Sequence, residues 1–144
     1  MIYLELLDKI KLKQARVCIV GGGYVGLPNA VLFAETGFNT IIADINPRVV
    51  ELTNKGESHI KDPVLQKSVP RAFKTKRLKA IIDLAAAVKE SDVIIISVPT
   101  PTKDNEPDLS FVKSAAAEIG RGLKNEGNKN NVENWKKLIV LEST

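Results

Sequence analysis

The sequence predicts an α/β domain built on one doubly wound parallel sheet, and three observations carry that reading. Short apolar runs rich in β-branched residues alternate with helical segments along the whole chain. The first run, Val17-Cys18-Ile19-Val20, opens into a glycine turn and then directly into a helix. The fourth run, Asp92 to Val98, holds the continuous apolar stretch Val93-Ile94-Ile95-Ile96, typical of a strand covered on both faces. Strand–helix alternation implies right-handed crossovers, and the expected strand order is 3-2-1-4-5. The 144 residues suit a single domain that buries roughly two-thirds of its unfolded surface.

Residues 1–14 stand ahead of the sheet-forming part at 15–144. Within 2–13, Tyr3, Leu6, Leu7 and Ile10 recur at helical spacing, which predicts an extra N-terminal helix against the domain's edge. A helix that binds a partner is the alternative for the same face. After the first strand, 27–36 is the first helix of the sheet unit, with Gly37 in the position of a C-terminal capping glycine. Thr40–Ala43 is the second strand. Asn46-Pro47 reads as an N-cap followed by proline in the first helical position, and that helix runs to about Lys55, where Gly56 ends it. After a polar connection a short helix starts near Val64. Pro70 is expected to break or kink it, because proline lacks an N–H and crowds the preceding turn. The third strand is 78–82, Asp83 caps an alanine-rich helix at 84–90, and the fourth strand is 92–98. Pro99 and Pro101 stop that strand. Residues 102–107 form a polar loop, and Asp108 or Ser110 caps a helix to about Leu123. The asparagine- and glycine-rich stretch 125–134 is expected as a surface loop with Trp135 as a packing anchor behind it. The fifth strand, 138–141, leads to Glu142-Ser143-Thr144.

Composition narrows the function. One cysteine can make no internal disulfide, and with one histidine it makes no metal site, so no metal is expected. Cys18, inside the first strand, reads as a buried inert thiol. No apolar run approaches membrane-spanning length. The N-terminus carries charges where a signal peptide has a continuous apolar core, so a cytoplasmic protein is the default. The net charge of +4 is mild. Arg71, Lys74, Lys76, Arg77 and Lys79 cluster, but only Phe73 interleaves them. A solvated helix face is therefore preferred to a nucleic-acid patch.

The chemistry-bearing stretch is Gly21-Gly22-Gly23-Tyr24-Val25-Gly26, which fits G-x-G-x-x-G between a strand and a helix. Gly21 permits the tight turn, Gly23 lets a pyrophosphate approach the backbone, and Gly26 lets the helix lie close on the strand. The helix N-terminus points unpaired N–H groups and a positive dipole end at an anion there. Asp44 follows the second strand eighteen residues after Gly26, where a carboxylate can bond the ribose hydroxyls of an adenosine. The same carboxylate repels a 2′-phosphate, so the expected cofactor is NAD. The plain alternative is a glycine-rich turn followed by an ordinary capping aspartate. In such a sheet the ligand lies beyond the carboxyl ends of the strands where their order reverses. Residues 21–26, 98–101 and 142–144 converge on that place.

Taken together, these segments resemble the nucleotide-sugar 6-dehydrogenase family, which includes the UDP-glucose and UDP-N-acetylmannosamine dehydrogenases. The features are Gly23-Tyr24-Val25-Gly26-Leu27-Pro28, Asp44-Ile45-Asn46, Val98-Pro99-Thr100-Pro101 and Glu142-Ser143-Thr144, in that order. Gly56-Glu57-Ser58-His59-Ile60 and Glu106-Pro107-Asp108 are similar to the UDP-N-acetylmannosamine branch. The resemblance spans residues 16–144 and about the first third of a family member. Three features depart from it: Gly22 where the family usually has another residue, Pro70 in a helix that is usually unbroken, and a longer loop at 125–136.

The resemblance implies a Rossmann-like NAD-binding domain. Gly21, Gly23, Tyr24, Val25 and Gly26 would line the pyrophosphate. Asp44 would hold the adenosine ribose with Arg48 nearby. Val98, Pro99 and Thr100 would pass the cofactor, and Glu142, Ser143 and Thr144 would sit by the nicotinamide. The threonine matching Thr144 also places the water used in catalysis. Strand-end capping is the plain alternative for Thr100 and Ser143, a solvated helix position for Arg48, and His59 reads as a loop residue. The implied reaction oxidises a nucleotide sugar's primary alcohol to a carboxylate with two NAD, in a protein that is a homo-oligomer at full length. The family's nucleophilic cysteine and sugar-binding residues match nothing in these residues, and Cys18 is not that nucleophile. The 144 residues alone are therefore expected to turn nothing over. UDP-glucose or UDP-N-acetylglucosamine are alternative substrates. The N-terminal domain of a hydroxyacid dehydrogenase would share the glycine turn but not Val-Pro-Thr-Pro and Glu-Ser-Thr. A stand-alone nucleotide-binding module is the non-catalytic alternative.

Overall fold

A computed structural model describes residues 2–124 and 136–142, with Ile2 and Tyr3 described as backbone only. The N-terminal helix α1 (Ile2–Lys11) is followed by β1 (Val17–Val20), α2 (Gly26–Glu35), β2 (Thr40–Ala43), α3 (Pro47–Asn54) and α4 (Pro63–Lys74). Then come β3 (Leu78–Ile81), α5 (Leu84–Glu90) and β4 (Val93–Ile96). A small hairpin, β5 (Thr102–Lys103) and β6 (Glu106–Pro107), precedes α6 (Ser110–Lys124) and β7 (Leu138–Leu141). The main sheet is parallel throughout, in the order β3-β2-β1-β4-β7, which is the order expected from the sequence.

Strand alternation divides the core into two layers. Val17, Ile19, Ile42, Val93 and Ile95 face α2 and α4, where Leu27, Ala30, Val69 and Ala72 close over them. Cys18, Val20, Ile41, Ile94 and Ile96 face α5 and α6, against Ala87, Val88, Ala115 and Ile119. This double covering explains why β1, β2 and β4 carry apolar or small residues at every position instead of alternating with polar ones. β7 has a partner on one side only among the described residues, and its four apolar residues are 38–59% exposed.

The α1 helix joins the first layer. Leu6 and Ile10 pack against it, as the helical spacing predicted, while the side chain of Tyr3 lies outside the described set. Asp92 fastens this corner: Oδ1 accepts from Lys9 Nζ at 2.8 Å and Oδ2 from the Arg16 N–H at 2.8 Å. Partial burial would raise its pKa, but the Arg16 N–H and the Lys9 ammonium outweigh burial and hold it below the ordinary carboxylate value. A depressed folded-state pKa stabilises the protein above the unfolded value near pH 4, and the effect is lost as pH falls through the folded one. Asp92→Asn should therefore lower stability by about 1 kcal/mol at pH 7, after allowing for partial exposure. That deficit should close below about pH 4. Urea melts at pH 7 and pH 3 measure it; an equal deficit at both would rule out the charge as the cause.

Pro70 does not break its helix. α4 runs as one helix from Pro63 to Lys74, capped by Asp62, whose Oδ1 accepts from the Val64 and Leu65 N–H groups. Proline removes one bond, to the Gln66 carbonyl, and Gln66 lies on the exposed side where water can serve that carbonyl. Leu65, Val69 and Ala72 are buried on the other side and hold the helix on the sheet. The polar loop at 102–107 is a hairpin instead, turning on Asp104 and Asn105 at φ 53° and 64°. The expected loop at 125–134 and Trp135 lie outside the described residues. Among the described residues, no helix is long and apolar enough to cross a membrane.

Candidate functional site

β1 ends at Val20, and Gly21 turns the chain at φ +95°, its N–H donating to the Ala43 carbonyl at 2.9 Å. A side chain there would be strained by the backbone angle, and its Cβ would fall 2.9 Å from the Ser97 carbonyl oxygen. Gly26 begins α2 so close to the turn that a Cβ would fall 1.7 Å from the Gly21 carbonyl oxygen. Gly23 is different: nothing lies within 4 Å of where its Cβ would be. The structure thus gives Gly21 a turn, Gly26 a close helix contact and Gly23 open space. Gly22, which the motif does not require to be glycine, is also confined, since a Cβ would meet Val49 Cγ1 at 2.9 Å and Ile42 Cγ2 at 3.0 Å.

The N-terminus of α2 ends at this cradle. Val25 occupies the cap position with no side-chain capping bond, and the first turn holds no acidic residue. The Leu27 N–H donates to the Gly23 carbonyl at 3.0 Å and Pro28 has no N–H, so the positive dipole end and the N–H groups ahead of Leu27 are what suit an anion. Tyr24 and Val25 are exposed here.

Asp44, just past β2, is tied to the same loop. Its Oδ2 accepts the Gly22 N–H at 2.8 Å and its Oδ1 accepts the Asn46 N–H at 2.8 Å. A carboxylate has about four lone-pair positions, so roughly two remain for hydroxyl donors. Asn46 caps α3 by accepting the Arg48 N–H at 3.0 Å, and Arg48 itself is exposed one turn into solvent. Ile45, 82% exposed beside Asp44, is an apolar surface that the motif reading passed over.

From the β4 side, Ser97 and Val98 run against Gly21, Val98 packs into the second core layer, Pro99 is exposed and Thr100 is half-buried. From β7, the Glu142 N–H donates to the Ile96 carbonyl at 2.9 Å, and Glu142 Oε2 accepts from Asn29 Nδ2 at 2.9 Å. Asn29 lies in the first turns of α2, so this bond joins the end of β7 to the helix above the glycine loop. Asn29 was not singled out from the sequence; a polar residue near the start of an otherwise apolar helix was the available signal. Ser143 and Thr144 lie outside the described residues. Cys18 is fully buried, and burial pushes its thiol to about 12, which keeps it an inert core residue. No group of three or more potential metal ligands gathers among the described residues.

The parallel sheet and this glycine loop define a dinucleotide-binding domain of the Rossmann type. A sequence model described as the UDP-glucose/GDP-mannose dehydrogenase family, NAD binding domain, matches residues 15–144, and the chain belongs to that family. It is 38% identical over 131 residues to a UDP-N-acetyl-D-mannosamine dehydrogenase of Campylobacter jejuni, covering 90% of this chain and 29% of that protein. The solved UDP-glucose dehydrogenase of Pyrobaculum islandicum superposes with a TM-score of 0.79 at 34% identity, over 90% of this chain and 29% of that one. A GDP-mannose dehydrogenase of Pseudomonas aeruginosa, solved as a ternary complex, gives 0.80 at 32% identity, over 90% and 28%. The chain therefore spans less than a third of each of these three relatives. A diketoreductase at 21% identity and a TM-score of 0.55 shares the fold alone, and nothing favours the hydroxyacid dehydrogenase alternative over the family assignment.

Proposed function

We propose that residues 15–144 form the cofactor half of a dehydrogenase that oxidises UDP-N-acetyl-D-mannosamine to its uronate, with the helix α1 of the N-terminal segment packed on that half. The adenosine ribose sits on Asp44 and the pyrophosphate on Gly21, Gly23, Tyr24, Val25 and Gly26 at the N-terminus of α2. The nicotinamide lies toward Val98, Pro99, Thr100 and Glu142, followed by Ser143 and Thr144. Arg48 borders the ribose end. The observation that carries this reading is the Asp44 carboxylate, hydrogen-bonded to the Gly22 N–H and still able to accept from hydroxyls beside an open glycine cradle. The identity to mannosamine dehydrogenases and the Gly56-Glu57-Ser58-His59-Ile60 stretch support the choice of sugar. NAD supplies the hydride acceptor, and oxidising an alcohol to a carboxylate takes two of them in turn. The residues of this chain bind and orient it.

Asp44 makes the selectivity testable. Its negative charge accepts from a free ribose hydroxyl and repels a phosphate in the same place. NAD should bind at least about tenfold tighter than NADP by calorimetry. Asp44→Ala should weaken NAD by about 1–3 kcal/mol, the range for a hydrogen bond to a charged group. Tighter binding of NADP by the unsubstituted chain would overturn the assignment.

A further inference from the structure

The end of β7 is tied down twice. The Glu142 N–H donates to the Ile96 carbonyl at 2.9 Å, which fixes its backbone beside the end of β4. Its side chain reaches α2, where Oε2 accepts from Asn29 Nδ2 at 2.9 Å. Asn29 is the fourth residue of α2, and its own N–H donates to the Val25 carbonyl one turn back at 3.3 Å. Helical side chains lean toward the helix N-terminus, so the Asn29 amide overlies the turn that starts at Val25 and Gly26. The bond therefore holds an exposed carboxylate beside the mouth of the glycine cradle.

A carboxylate has about four lone-pair positions and donates nothing. Asn29 takes one of them on Oε2, and Oε1 has no partner among the described residues. The strand order says which part of a bound dinucleotide meets that oxygen. With the adenosine ribose at the end of β2 and the pyrophosphate at the end of β1, the second nucleoside continues toward β4 and β7. Neighbouring strands lie about 4.8 Å apart, which puts the end of β7 about 10 Å from the end of β1, one nucleoside further along. The donors on that half of NAD are the ribose hydroxyls and the carboxamide N–H groups.

We propose that Asn29 is a positioning residue of the cofactor site, holding the Glu142 carboxylate so that Oε1 accepts a hydrogen bond from the nicotinamide nucleoside. The inference rests on the reading that the adenosine ribose lies on Asp44, and the two fail differently.

Calorimetry of the chain with three probes tests it. NAD carries the whole second nucleoside, ADP-ribose only its ribose, and ADP neither. Asn29→Ala should bind NAD about two- to tenfold more weakly, the range for one hydrogen bond, and ADP as tightly as the parent does. A matching loss for ADP-ribose assigns the bond to a ribose hydroxyl; an unchanged ADP-ribose affinity assigns it to the carboxamide. Glu142→Ala should weaken NAD at least as much, and adding Asn29→Ala to it should change nothing further, because Asn29 acts only through that carboxylate. A merely structural role would weaken ADP too and would add to the loss at Glu142. Asn29 is half-buried and alanine is a strong helix former, so the variant should fold; if it does not, Asn29→Leu, which keeps the volume, takes its place in the same series. Unchanged or tighter NAD binding by the folded variant, an equal loss for ADP, or additive losses in the double variant overturns the proposal. Weaker ADP and NAD binding by Asp44→Ala with no effect at Asn29 defeats this inference only, whereas Asp44→Ala with both affinities unchanged defeats the ribose reading on which it rests.

Discussion

Gly26→Ala should unfold the domain far more easily than any other single methyl group added to the glycine loop. The new Cβ falls 1.7 Å from the Gly21 carbonyl oxygen, 2.9 Å from the Gly21 carbonyl carbon and 3.1 Å from Ile19 Cγ2. The first two are backbone atoms that cannot rotate aside, so α2 must lift off the end of β1. Leu27, Ala30, Val31 and Ala34 are the buried face of that helix and close the first core layer over Ile19 and Ile42. Overpacking typically costs about 1–3 kcal/mol, and a backbone clash belongs at or above the top of that range. From a total stability of about 5–15 kcal/mol, this is a loss of roughly 10 °C in Tm for a domain of this size. Thermal and urea unfolding measure it. A variant within about 1 kcal/mol of the parent would mean that α2 does not start against Gly21 as described.

What was legible in the sequence is what depends on near neighbours along the chain. The strands at 17–20, 40–43 and 138–141 stand out because both faces are apolar, and Asn46, Asp83 and Asp108 cap or turn their helices through bonds to residues two or three positions on. The turn at Gly21 and the close helix contact at Gly26 follow from spacing alone, because a strand-to-helix turn of this length admits few backbone paths. Contacts set by packing between distant elements were not legible. Gly22 is confined by Ile42 and Val49, twenty and twenty-seven residues away, which no local pattern displays. Pro70 argues for a broken helix on local grounds, and the burial of Val69 and Ala72 overrides it. The hairpin at Asp104-Asn105 did carry a signal, since both residues tolerate positive φ, but polarity alone made it read as a loop.

The second large effect separates binding from folding at a neighbouring position. Gly23 has no protein atom within 4 Å of its would-be Cβ and no positive φ, so the fold has neither a steric nor a conformational reason to require glycine there. A fold-neutral glycine beside an uncapped helix N-terminus is what a cradle for an anion needs, because the ligand fills the space a side chain would take. Gly23→Val should therefore leave the unfolding free energy within about 1 kcal/mol of the parent. NAD affinity should fall by about a hundredfold or more, roughly 2.7 kcal/mol, since the isopropyl group excludes the pyrophosphate from the loop's N–H groups. Gly23→Ala, with a smaller obstruction, should fall between the two. Calorimetric titration paired with urea unfolding of the same preparations reads both quantities. The pattern is the reverse of that at Gly26, where stability fails first, and the contrast distinguishes a ligand cradle from a merely tight turn. A folded Gly23→Val that binds NAD as the parent does would remove the glycine loop from the cofactor site.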